Sequence, residues 1–154
     1  MRKEIELAKI PHVLELNRIK RAYTGGKLLD EWQRLEHAED GNMSEEFLIS
    51  TVEVPNENKI PEEGLSRTIL PDGESVTLAS LIKRDYEGFL GEKYANEKDV
   101  RVSARVGDTT VRHVLQCHPD TAFARKYLEF PNGKSEAWYI VKTRSINGST
   151  PYLY

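Results

Sequence analysis

Gln116, His118 and Glu136 are the side chains whose types and spacing could hold a metal ion. Gln116 and His118 stand two apart. On an extended strand alternate side chains share a face, so an amide oxygen and an imidazole would leave one strand end in the same direction. Glu136 follows His118 by 18 residues and lies just past Pro131-Asn132-Gly133, where a hairpin-like return would carry its carboxylate back to the pair. Nitrogen and oxygen donors converging from two strands suit Zn²⁺ or another divalent metal, and three protein ligands with an open position form the catalytic rather than the structural arrangement. A histidine before proline at a strand end is by itself more often structural than a ligand; here its company argues for ligation. Gln116, neutral and an oxygen donor only, is the weakest of the three on chemical grounds. Lys134 shares the Glu136 face, although an exposed turn lysine after Gly133 is the plainer reading. Cys117 has the opposite parity and is expected to face away. His12, His37 and His113 have no partner at ligand spacing, and Asp120 reads as a helix N-cap rather than a catalytic acid.

These residues lie within motifs. Gln116-Cys117-His118-Pro119-Asp120, then Phe123-Ala124-Arg125, then Gly133-Lys134-Ser135-Glu136-Ala137-Trp138-Tyr139 together resemble the core of the class I mannose-6-phosphate isomerases, zinc-dependent enzymes of the cupin superfamily. Weaker echoes are Tyr23-Thr24-Gly25-Gly26-Lys27-Leu28, similar to that family's Gly-Gly loop, and Glu46-Phe47 with Ser50, similar to its Glu-x-x-x-Ser strand. The resemblance implies a mainly β, cupin-type jelly-roll with helical insertions, of which residues 1–154 would be the N-terminal part of a single domain, incomplete at its C-terminal end. It implies one zinc ion on Gln116, His118, Glu136 and a further histidine with no counterpart here. The implied reaction interconverts mannose 6-phosphate and fructose 6-phosphate through an enediolate as a proton moves between C1 and C2. Lys134 would aim its ammonium at the substrate phosphate or the enediolate, as catalytic and substrate-binding residue, and Trp138 would wall the sugar pocket or belong to the core. The chain departs from the pattern at Arg105-Val106-Gly107-Asp108, where Gly107 interrupts a strand, and in lacking counterparts of the family's phosphate-binding basic residues. On that ground residues 1–154 alone are expected to be inactive. The alternatives are a non-catalytic cupin-like module that binds sugar or metal, and an inactive fragment.

The rest of the composition narrows the setting. Twenty-two basic residues against 25 acidic ones give a net charge of −3, which favours neither nucleic acid nor an anionic membrane surface as partner. No apolar run approaches the roughly 20 residues of a membrane helix, and Met1-Arg2-Lys3-Glu4 is not followed by the apolar core of a signal peptide, so a cytoplasmic location is expected. One cysteine leaves no internal disulfide.

The elements that must position the site follow from periodicity and turn residues. Apolar spacing predicts a helix over Leu28 to Leu35 and another over Thr77 to Leu90, with Thr77 or Ser75 as cap. A strand is predicted over Phe47 to Val54, loop from Pro55 to Gly73, short β pieces at Val100, Val102, Val106 and Thr109-Thr110, and strands over Val111 to His118 and Glu136 to Thr143. A short helix is predicted over Asp120 to Leu128.

Overall fold

Proline, glycine and a few short polar side chains decide where each element stops. The computed structural model describes residues 7–54, 56, 58, 60–145 and 148, which fall into two compact units, Met1–Val111 and Arg112–Tyr154. In the first unit β1 (Arg18–Ile19), β2 (Glu45–Ile49) and β5 (Ala104–Gly107) form a three-stranded antiparallel sheet with β2 in the middle. Arg18 pairs with Glu46 and Phe47 with Arg105, and the register shifts between Phe47 and Ile49. β3 (Arg67–Ile69) and β4 (Ser75–Thr77) make a separate hairpin. Its turn closes where the Gly73 amide donates to the Leu70 carbonyl at 2.8 Å, with Gly73 at a φ of 89° that a side chain would resist. The strand predicted over Phe47 to Val54 is thus shorter and begins earlier.

Helix α1 (Lys27–Gln33) starts at Gly26, and its first turn is tied to β5. The buried carboxylate of Asp108 accepts from the amides of Gly26 and Leu28, both at 2.9 Å, and so caps a helix start far away in sequence. Gly25 is held so close to the chain around Asp108 that a Cβ there would lie 1.9 Å from the Asp108 carbonyl oxygen.

The segment predicted as one helix from Thr77 to Leu90 is two: α2 (Leu78–Arg84) and α3 (Tyr86–Leu90). Asp85 makes the break. It leaves helical geometry, with φ −153° and ψ 79°, and its side chain accepts from the Gly88 amide at 3.0 Å, restarting the helix as an N-cap. The apolar period alone does not register a capping side chain in mid-run. Thr77 caps α2, its hydroxyl oxygen accepting from the Ser80 amide at 3.1 Å. Thr77→Ala is therefore expected to cost about 1 kcal/mol, seen as a lower urea midpoint with an unchanged slope.

Two small apolar clusters hold this unit. Ile19, Phe47 and Val54 pack on the three-stranded sheet. Leu70, Val76 and Leu81 form the other, with Leu7 and Phe89 against it. Leu81, on α2, is completely buried, and burial of such a side chain contributes roughly 2 kcal/mol.

The second unit contains α4 (Thr121–Tyr127), of which Ala124 is buried. Asp120 is its N-cap, accepting from the Phe123 amide at 2.7 Å. The strands predicted over Val111 to His118 and Glu136 to Thr143 are not formed as ladders; their described residues lie outside any strand. β-propensity measures how well a side chain fits a neighbouring strand and a covered face, and neither is supplied to Leu115, Trp138 or Tyr139, which are 83%, 66% and 88% exposed. Among the described residues helix exceeds strand, the sheets are small and antiparallel, and no barrel closes. No described helix is long and apolar enough to cross a membrane.

Candidate functional site

A glycine makes the meeting of His118 with Glu136 geometrically feasible. The return after Pro131-Asn132 lies directly against the start of α4: the Gly133 amide donates to the Thr121 hydroxyl at 3.1 Å and the Lys134 amide to the Pro119 carbonyl at 3.2 Å. A Cβ at Gly133 would stand 2.5 Å from both the Asp120 carbonyl carbon and the Pro119 oxygen, so only glycine permits this approach. With Lys134 pinned beside Pro119, the residues that follow it run back past His118.

There three side chains converge. His118 Nε2 is 2.5 Å from Glu136 Oε2, Lys134 Nζ is 2.7 Å from the same oxygen, and Lys134 Nζ is 3.3 Å from His118 Nε2. The Glu136 side chain is 15% exposed and that of Lys134 48%, so the carboxylate sits at the floor and the ammonium toward solvent. One carboxylate oxygen thus lies within ion-pair distance of two nitrogens.

Gln116 is exposed and makes no hydrogen bond among the described residues. The contacts therefore join His118, Lys134 and Glu136 and do not include Gln116. Trp138 is exposed rather than core. Cys117 is a free, exposed thiol.

The cluster presents one imidazole nitrogen and one carboxylate oxygen facing each other, with the Lys134 ammonium paired to the carboxylate and 3.3 Å from the imidazole nitrogen. The contact between Lys134 and Glu136 is an ion pair, and His118 and Glu136 supply two ligand types that Zn²⁺ takes, an imidazole nitrogen and a carboxylate oxygen. Among the described residues no group of three or more His, Cys, Asp and Glu side chains is placed to hold a metal ion; the third expected donor here is the amide of Gln116, outside those four types.

Sequence reasoning missed a second polar cluster, in the first unit. Glu45 and Glu46 are adjacent on β2, and both are buried. Their carboxylates find different partners, as strand alternation requires. Glu45 takes Arg21 through Nε and Nη2 at 2.8 and 2.6 Å, the Tyr23 hydroxyl, and Arg105 at 3.7 Å. Glu46 takes the Asn17 amide at 2.6 Å, Gln33 at 2.8 Å and Arg18 at 3.4 Å. Arg18 also pairs with Asp30. Burial, with the Glu45 carboxylate as hydrogen-bond acceptor, pushes the Tyr23 hydroxyl well above its ordinary range. The signal was present as two successive acids in an apolar strand flanked by Arg18, Arg21 and Arg105, but nothing local says which arginine meets which acid. Each charge is paired, so the cluster reads as internal support for the sheet.

Comparison with protein-family models, with curated proteins and with solved structures finds no match to this chain.

Proposed function

We propose that the chain belongs to a cupin-type, metal-dependent aldose–ketose isomerase acting on mannose 6-phosphate and fructose 6-phosphate, with its site at His118, Glu136, Lys134 and Gln116. The single observation that carries the reading is the convergence of His118, Lys134 and Glu136 within 3.3 Å of one another across a return held by Gly133. The motif resemblance supplies the substrate class, and the contacts supply the chemistry.

His118 and Glu136 would hold Zn²⁺ together with Gln116. The ion, when bound, would supply Lewis-acid polarisation to the sugar carbonyl and the neighbouring hydroxyl. Lys134 has a separate task. Its ammonium, at the solvent side of the cluster, presents a positive charge and three donors to an anionic oxygen, either a phosphate or the enediolate that develops as the C2 proton is removed. Trp138, exposed on the same segment, would offer an apolar wall to the sugar ring. A partner of this kind is a small sugar phosphate rather than a nucleic acid, in keeping with the near-balanced charge of the chain.

The test is fructose 6-phosphate formation from mannose 6-phosphate, coupled to reduction of a nicotinamide, with protein expressed from its whole reading frame. Zinc-dependent turnover is expected for the wild type, and a loss of at least about a thousandfold for Glu136→Gln, since positioning and electrostatic stabilisation both depend on that carboxylate. A second reading, a non-catalytic cupin-like module, draws on the wide exposure of Trp138 and Tyr139. Protein that binds zinc and sugar phosphate without converting it would establish the module and end the isomerase reading.

A further inference from the structure

Lys134 contacts the same two atoms that a divalent ion would use. Its Nζ lies 2.7 Å from Glu136 Oε2 and 3.3 Å from His118 Nε2, and these atoms are themselves 2.5 Å apart. A cation held by His118 Nε2 and Glu136 would occupy the single lone pair of the neutral imidazole beside Lys134 and bring a second positive charge against its ammonium, which repels it. The lysine has somewhere to go. Nearly half of its side chain is exposed, on a flexible four-carbon stem, whereas its backbone is fixed by the Pro119 carbonyl at 3.2 Å. Its ammonium can swing outward by side-chain rotation alone while the return of the chain stays in place.

We infer that Lys134 is a built-in competitor for the metal site, so that metal entry displaces its ammonium from Glu136 and delivers it toward the anionic substrate. This inference rests on the reading of His118 and Glu136 as metal ligands and adds a coupling to it. Binding of Zn²⁺ and availability of the substrate-facing cation become one event, because the charge that leaves the carboxylate is the charge that a phosphate or enediolate oxygen would meet.

The experiment measures Zn²⁺ affinity, by competition with a chromogenic chelator, in the whole purified protein as wild type, Lys134→Met and Lys134→Arg. Lys134→Met keeps the length of the side chain and removes its charge, and is expected to bind Zn²⁺ more tightly, on the order of tenfold. Lys134→Arg keeps a cation beside Glu136 and is expected to stay near the wild-type value. A residue that merely supported the fold would weaken binding when replaced, so a gain of affinity is a result that a structural role does not produce. Equal affinity in all three proteins, or weaker binding in Lys134→Met, would overturn the competition and leave the metal site standing. Absence of Zn²⁺ binding in wild type and both variants would remove the metal reading and this inference with it. Circular dichroism of each variant establishes that the comparison is between folded proteins.

Discussion

Replacing His118 by alanine is expected to strip the protein of the zinc ion proposed to sit there. The imidazole nitrogen lies 2.5 Å from the Glu136 carboxylate, and alanine removes that donor. Substitutions that merely orient a ligand typically lower metal affinity about 10–100-fold, so loss of a ligand should exceed roughly a hundredfold. Elemental analysis after gel filtration should fall from near one equivalent of zinc to background. His118 lies outside both apolar clusters, and the secondary structure and unfolding midpoint should be unchanged. Cys117→Val, at the neighbouring exposed position, is the matched control that should retain its zinc. Full zinc retention by His118→Ala would place the metal elsewhere or nowhere.

Gly133→Ala is expected to do comparable damage from outside the donor set. The added methyl would stand 2.5 Å from backbone atoms of both Pro119 and Asp120, and neither can move without disturbing the Asp120 cap of α4. The cheaper relaxation is for the return to lift away, which breaks the Lys134 amide contact with Pro119 and withdraws Lys134 and Glu136 together from His118. Zinc affinity should then fall by about a hundredfold, because a displacement of even an ångström removes one donor from reach. The separating measurement is the helical signal: retained helicity with lost zinc places the effect in the return. A Gly133→Ala protein with wild-type affinity would show that the close approach does not position the cluster.

Parts of this molecule are legible from short stretches of sequence because their causes are local. Thr77 and Asp120 cap their helices as their side-chain chemistry dictates, each accepting from an amide three residues on. Pro71-Asp72-Gly73 turns the hairpin within the irregular stretch where three prolines announce a loop, although the strands on either side of it, β3 and β4, are too short to show a period. Asp85 misleads a periodicity argument because the apolar residues on either side of it keep their spacing while its own carboxylate ends one helix and begins the next.

Other features depend on residues that only the folded chain makes neighbours. Residues 111–118 and 136–143 have the composition of strands, but a strand exists through its partner, and the described chain provides no ladder for either. Glu45 and Glu46 cannot be matched to Arg21 and Arg18 until β1, β2 and β5 are in register. Asp108 becomes the cap of α1 only because β5 ends beside it. At the candidate site, the sequence by itself determined the residue types and the 18-residue interval from His118 to Glu136. The tertiary structure decided that Lys134 joins that pair by direct contact and that Gln116 makes no hydrogen bond to it. The physical reason is the docking of Gly133 against Pro119 and Asp120, a packing of backbone on backbone that no side-chain pattern records.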